Sequence, residues 1–271
     1  MNDNKVVPRL ASTVMLLRDE PGDGLQVFMQ VRNSSLAFAS GALVFPGGSM
    51  DADDRKIAAA AATFCDAAAL EFDETTRAFR IAAIRETFEE CGVLLASRRG
   101  AKGLVSGEDL TTMTARHGAA LNKGELAFSQ FVAREELVLA SDHLVHFAHW
   151  ITPESRPKRF DTHFFAAIAP ADQLAAHDGG EAVHSVWIAP KHAVTETDAG
   201  RYKLVFATRM NLNKLAETAN AKAALAAARQ RRVVTITPVM YESAAGERMI
   251  RIPAEAGYGG AEFLALDPPA M

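Results

Sequence analysis

The sequence is poor in cysteine. Only Cys65 and Cys91 occur among 271 residues, too few and too far apart for a disulfide framework or a close-spaced ligand set. A reduced compartment is the simpler expectation. Positive charge is not in excess either: 29 Lys and Arg stand against 33 Asp and Glu, for a formal net charge of −4. That removes the general electrostatic reason to expect a nucleic-acid partner. Only a local patch, Arg229, Arg231 and Arg232, is left as a phosphate or RNA contact, and a charged helix end explains it equally well. No segment offers the roughly 20 apolar residues of a membrane span, so no membrane partner is expected. Met1 to Leu10 lack the apolar run of a signal peptide. The resulting expectation is a cytoplasmic protein.

What the chain does hold is an ordinary globular balance, 49% hydrophobic and 23% charged. Its length suffices for one large core. No internal repeat or linker stands out, so a single domain over residues 1–271 is expected. Residues 10–18 and 25–32 are apolar and partly alternating, with Glu20-Pro21-Gly22-Asp23-Gly24 between them, which predicts a β-hairpin. A short strand over 42–45 stops at Pro46-Gly47-Gly48. Residues 55–72 are alanine-rich, which predicts a helix. Helices are also expected over 75–96, once or twice within 104–135 with Ser106 as a cap, and over 207–229. Strands are expected at 137–151, 159–168, 181–188, 232–239 and 248–252. Strands and helices mix without regular alternation, which favours an α/β fold with a mixed sheet covered by helices.

Chemistry concentrates in Arg85-Glu86-Thr87-Phe88-Glu89-Glu90-Cys91-Gly92-Val93. On a helix, side chains step by about 100°. Ile81, Ile84, Phe88 and Cys91 then share one face, and Glu86, Glu89 and Glu90 gather on nearly the opposite one. Three carboxylates within one turn repel one another, so helix stability alone does not favour them. A divalent cation removes the conflict. Hard cations take carboxylate oxygens and bridge substrate phosphates. Arg85, four residues before Glu89, can brace its carboxylate. An acidic triplet alone is usually a solvated surface. Here Phe45-Pro46-Gly47-Gly48 stands upstream, with glycines that let backbone approach a ligand. Asp51, Asp53 and Asp54 follow, as further ligands or as plain loop polarity.

These residues resemble the Nudix box: a glycine, five residues, an acid, seven residues, then Arg-Glu-apolar-x-Glu-Glu-x-Gly-apolar. Gly48 matches the start and Arg85 to Val93 the end, with Thr87 where the family prefers an apolar residue. Asp54 falls at the first acid. Arg85 lies 31 positions after Asp54 where the motif has 8, a surplus of 23, so residues 55–76 read as a helical insertion within the box. An insertion at this place is similar to that of the peroxisomal-type coenzyme A diphosphatases. Trp150-Ile151-Thr152-Pro153, Arg159 to Phe165, Val186 to Pro190 and the Asn211-Leu212 region are similar to that subgroup too. So, loosely, is Gln30-Val31-Arg32-Asn33-Ser34-Ser35-Leu36, through Arg32 and Ser34.

The resemblance implies a Nudix α/β/α sandwich with a mixed sheet and extra helices. It implies Mg²⁺ or Mn²⁺ held by Glu86, Glu89 and Glu90, with catalysis by Glu86, Glu89 and Arg85. Gly47, Gly48, Arg32 and Arg159 are expected at the substrate. The reaction it implies is hydrolysis of a diphosphate, first of coenzyme A or an acyl-coenzyme A, giving 3′,5′-ADP and a phosphopantetheine. The same metal site would serve an ADP-sugar, a dinucleotide or a modified nucleotide. A nucleotide-binding sensor without turnover is the alternative of another class, opposed by the presence of all three carboxylates. The insert is open to two uses, as a cap over the small-molecule substrate or as a homodimer contact.

Three other features carry less. His143, His146 and His149 suggest zinc, but on a strand side chains alternate, so His146 is expected to point away from the other two. Arg159 and Asp161 share a strand face, either lining the groove or forming an ion pair. Trp187 is expected in the core rather than as a base-stacking platform.

Overall fold

The computed structural model describes residues 6–32, 42–173, 175 and 182–265. Its strands are β1 (Arg9–Glu20), β2 (Gly24–Arg32), β3 (Leu43–Val44), β4 (Gly47–Ser49), β5 (Ala96–Arg98), β6 (Leu137–Leu139), β7 (Val145–Ile151), β8 (Phe160–Ile168), β9 (Ala182–Ile188), β10 (Thr235–Ile236), β11 (Val239–Glu242), β12 (Arg248–Arg251) and β13 (Glu262–Leu264). Its helices are α1 (Ala52–Ala59), α2 (Ala61–Phe64), α3 (Glu74–Cys91), α4 (Gly107–Asn122), α5 (Phe128–Arg134), α6 (Pro190–Asp198), α7 (Phe206–Leu215) and α8 (Ala221–Gln230).

The alternation in β1 explains the architecture. Val14 and Leu16 point into one core, Met15 and Leu17 into the other, and all four are buried. A strand apolar on both faces must be covered on both. Residues of α1, α3, α4 and α5 pack on the first face; residues of α7 and α8 pack on the second. The sheet runs β10-β7-β8-β1-β2-β3, with β4 joined to β1 and β9 to β2. It is mixed: β1 pairs with β8 in parallel and with β2 and β4 antiparallel. The expected α/β/α sandwich is therefore what forms. No helix among the described residues is long and apolar enough to cross a membrane.

The expected hairpin is β1–β2, and Ser106 does cap α4, its side chain accepting from the Asp109 amide. Other boundaries need correction. The helix expected to reach Ala96 stops at Cys91, because Gly92 takes the left-handed conformation at φ 67° and closes the end onto Phe88 and Thr87. The single helix expected over 207–229 is two, α7 and α8, broken before Asn220, which caps α8 by accepting from the Ala223 amide. The strand expected over 137–151 is β6 and β7, divided by a 3₁₀ turn at Ser141–His143. The strand expected over 232–239 is likewise divided, and α6 and β13 are additions to what was expected.

The alanine-rich stretch is not one helix. It breaks into α1, α2 and a 3₁₀ turn at Ala67–Glu71. Nor is it looped out: Ile57, Ala58, Ala61 and Ala69 are buried in the same core as α3. Alanine suits this job, since small side chains let short helical pieces lie close against their neighbours. Ile57→Ala should therefore cost roughly 2–5 kcal/mol of stability. Denaturant unfolding of the two proteins measures it; a loss below about 0.5 kcal/mol would mean that the insert is surface.

Candidate metal and catalytic centre

The site is assembled by strand pairing on one side and by α3 on the other. β4 pairs with β1 so that Gly48 faces Ser12 and Gly47 faces Thr13. The Val14 amide donates to the Pro46 carbonyl at 2.9 Å and the Met50 amide to the Leu10 carbonyl at 2.9 Å, pinning both ends of the glycine turn to β1. α3 starts at Asp73, whose carboxylate accepts from the Thr76 amide at 3.0 Å, and carries its acids over the turn. Ser12 ties helix to sheet: its hydroxyl donates to the Phe79 carbonyl at 2.7 Å.

Both glycines lie in close approach, Gly47 against fixed backbone and Gly48 against the end of the Glu86 side chain. Gly47 has φ +153°, and a Cβ there would lie 2.6 Å from Thr13 Cα. A Cβ on Gly48 would lie 2.5 Å from a Glu86 carboxylate oxygen. The Gly47 amide donates to the Glu90 carboxylate at 2.8 Å, and the Gln30 side-chain amide donates to the Glu90 backbone carbonyl at 3.0 Å. The glycine pair thus meets two of the three acids directly.

Arg85 holds the rest. Nε and Nη2 donate to the two oxygens of Asp54 at 2.9 Å each, Nη1 donates to Glu89 at 2.8 Å, and Nη2 also reaches Glu86 at 2.9 Å and the Ser49 carbonyl at 3.0 Å. Asp51 and Asp54 form a reciprocal capping box at the start of α1 (2.9 and 2.8 Å), which aims the Asp54 carboxylate. Asp54, whose part was open in the sequence, is the buried partner of Arg85. Asp53 turns away and accepts from the Ser129 amide and hydroxyl at 2.7 Å each. Thr87, the departure from the apolar preference, is fully buried and donates its hydroxyl back to the Ala83 carbonyl at 2.7 Å, so no polar group is orphaned.

One guanidinium faces several acids, and the electrostatics show the shortfall. Burial pushes the Glu86 carboxyl up to about 7 against the pull of Arg85, with Glu89 nearby adding to the rise. Burial likewise raises Glu89 and Asp54. Arg85 is held firmly charged by Asp54, Glu86 and Glu89, which outweigh its own burial. Carboxylates that resist ionisation beside the Arg85 guanidinium call for more positive charge. The donors are carboxylates only, which suits a hard oxygen-seeking dication. Glycine at position 48 leaves free the space that a Cβ would take from Glu86.

Not every expected residue joins this centre. Arg159 is buried just before β8, its Nε donating to the Thr152 carbonyl at 3.0 Å and its Nη1 to the Val6 carbonyl at 2.8 Å. Its guanidinium is committed to backbone, which gives the groove role no support. Arg32 ends β2 opposite Ala182, but its side chain, like Asn33 to Leu36, lies outside the described residues. Trp187 is half-buried, edge-on to Phe28 at 5.4 Å with the Arg18 guanidinium 4.4 Å above it. Arg231 lies over the Phe147 ring at 4.7 Å, past the end of α8.

The family model described as NUDT19 Nudix domain matches residues 71–204, which takes in Arg85 to Val93 but not the glycine pair. The chain belongs to the Nudix hydrolase family. It is 32% identical over 182 residues to a putative nudix hydrolase 7 of Caenorhabditis elegans, covering 66% of this chain and 52% of that protein. It is 27% identical over 221 residues to the human acyl-coenzyme A diphosphatase NUDT19, covering 65% of this chain and 56% of that protein. The chain thus spans about half the length of these relatives. A crystal structure of a Nudix hydrolase from Alicyclobacillus acidocaldarius superposes with a TM-score of 0.64 at 25% identity, over 82% of this chain and 96% of that one. The Nudix fold accordingly extends well past the matched segment.

In this Nudix domain Arg85 and Asp54 form a buried pair joined by two hydrogen bonds. Removing one partner strands the other charge. Asp54→Ala should lower stability by about 3–5 kcal/mol. Asp54→Asn, which keeps an oxygen for Arg85, should lower it less. Equal unfolding midpoints for Asp54→Ala and the parent chain would show that Arg85 does not depend on this contact.

Proposed function

We propose that this chain hydrolyses the diphosphate bond of a nucleotide-linked substrate with Mg²⁺ or Mn²⁺, and that the substrate is coenzyme A or an acyl-coenzyme A. The observation that carries the reading is the gathering of Glu86 and Glu89 by the buried guanidinium of Arg85 beside Gly47 and Gly48, with Glu90 held there by the Gly47 amide. The similarity to the acyl-coenzyme A diphosphatase and the long insert support the choice of substrate.

Glu86, Glu89 and Glu90 would hold the cation. When bound, it supplies positive charge to the diphosphate oxygens and acidifies water next to them. The protein's own part is positioning. Arg85 keeps Glu89 in place from four residues away, and the Gly47 amide keeps Glu90 in place. Glu89 has 37% of its side chain open against 13% for Glu86, so it can meet a water molecule. It is assigned the water proton. The water oxygen bonds to one phosphorus, the anhydride P–O bond breaks, and two phosphomonoesters leave. With coenzyme A these are 3′,5′-ADP and phosphopantetheine.

Hydrolysis of a panel holding coenzyme A, an acyl-coenzyme A, ADP-ribose, NADH, diadenosine polyphosphates and nucleoside triphosphates, with products identified by mass, tests the reading. Chelator-sensitive release of 3′,5′-ADP is expected. Cleavage of another member only would keep the centre and discard coenzyme A. Silence across the panel from folded protein would move weight to a binding role. Glu89→Gln changes charge at nearly constant volume and should cut kcat by at least about 10²-fold while the thermal midpoint holds. Near-parental turnover would remove Glu89 from the mechanism. Gly48→Ala drives a methyl into the Glu86 carboxylate, so titration calorimetry should show weaker Mn²⁺ binding than in the parent chain.

A further inference from the structure

A second group of metal-type donors lies across the other half of the sheet. The strand-alternation argument that set His146 apart fails here, because the β7–β8 register shifts between His146 and Ala148. The bulge returns His146 and His149 to one face, while His143 stays outside in the 3₁₀ turn. The same face of β8 carries Asp161 and His163. His149 Nε2 meets Asp161 Oδ1 at 2.5 Å, and His163 Nδ1 meets His146 Nε2 at 3.1 Å. One donor atom each from His149, Asp161 and His163 lies within 4.8 Å of the others.

From this geometry we propose that His149, Asp161 and His163 form a binding site for a borderline dication, zinc in the first place, separate from the carboxylate centre. Two imidazoles and one carboxylate are a zinc donor set rather than a magnesium one. Around a tetrahedral zinc, donors bound at about 2.0–2.1 Å lie roughly 3.3 Å from one another. Reaching that spacing from donors within 4.8 Å of one another takes side-chain rotation, for which His149 and Asp161 have 15% and 23% of their side chains open. Three protein donors leave one coordination position for water or another ligand.

Outer contacts already orient the rings. His149 Nδ1 meets the Thr235 hydroxyl at 2.8 Å. A hydroxyl both donates and accepts, so it satisfies either tautomer of His149. When Nε2 passes from Asp161 to the cation, its proton moves to Nδ1 and Thr235 becomes the acceptor. His163 is fixed at Nδ1 by His146, and by Phe79 of α3 stacked on it at 3.9 Å. Its Nε2 makes no hydrogen bond among the described residues and remains for the cation. Such outer partners fix the tautomer and ring direction of a ligating histidine.

The two centres stand side by side along one face of the sheet. Gly48, Ser12, His163, His149 and Thr235 form one register row across five strands. Gly48 and His163 flank Ser12, two strand spacings apart, or about 10 Å between backbones. Each centre can therefore be altered without the other.

The test uses chain stripped of metal, held in excess Mg²⁺ and titrated with Zn²⁺ against a chromogenic chelator. One tight equivalent is expected in the parent chain and in the Glu86→Gln/Glu89→Gln double variant. His149→Gln/Asp161→Asn should lose it. Thr235→Val, at an exposed position, should weaken it by about 10–100-fold, the effect of an outer partner. Co²⁺ in place of zinc should give visible absorption bands in the parent and none in His149→Gln/Asp161→Asn. Circular dichroism checks each fold, and Thr235→Val keeps the test open if a ligand variant does not fold. No tight equivalent in the parent, unchanged affinity in His149→Gln/Asp161→Asn, or loss in the Glu86→Gln/Glu89→Gln chain would each overturn the proposal.

Discussion

A guanidinium removed from water is tolerable only when its donors are met, and Arg85 is met by Asp54, Glu86, Glu89 and the Ser49 carbonyl. These partners come from α1, α3 and β4. The geometry of all three elements converges on one side chain. The capping box that opens α1 exists to aim Asp54 as much as to start a helix. The turn that ends in Ser49 brings Gly47 and Gly48 against the acids. Arg85 also sets the limit of its own compensation: one positive charge cannot satisfy Asp54, Glu86 and Glu89 together, and Glu86 shows it by resisting ionisation. A cation-seeking centre follows from that imbalance.

Much of this was legible in the residues because it is local. Arg85 and Glu89 are one helical turn apart, and the sequence shows that spacing directly. The glycine pair and the acid triplet announce themselves by type. What the sequence could not show was distance across the insert. Asp54 falls where the resemblance to the Nudix box puts its first acid, yet nothing in residues 55–76 says whether the chain returns to Arg85. It returns because Ile57, Ala58 and Ala61 bury themselves beside α3, a tertiary event with no periodic signature. Arg159 reads in the sequence equally as a phosphate contact or as an ion-pair partner of Asp161, and its contacts to the Thr152 and Val6 carbonyls have no local signal at all.

The histidines teach the same lesson through a smaller irregularity. Period-two reasoning on His143, His146 and His149 was sound for a regular strand. A shift of one residue at Phe147 reverses the facing of every later side chain relative to the earlier ones. Bulges carry no dependable sequence mark, and they are frequent where sheets must present chemistry. Irregular boundaries elsewhere had plainer signals: Gly92 ends α3 and Asn220 starts α8, each a residue type suited to that end.

The parallel pairing of β1 with β8 also sets an order of events. β1 is joined at once to β2 by a short hairpin, but its other edge is completed only by residues Phe160 to Ile168. During synthesis that apolar edge stands open while residues 21–159 are made, and the helices that cover both faces of the sheet arrive partly before and partly after. Long-range strand pairing of this kind slows folding and leaves a templating edge exposed meanwhile. The nascent β1–β2 hairpin thus needs protection from other chains, and the completion of β8 is the moment at which that need ends.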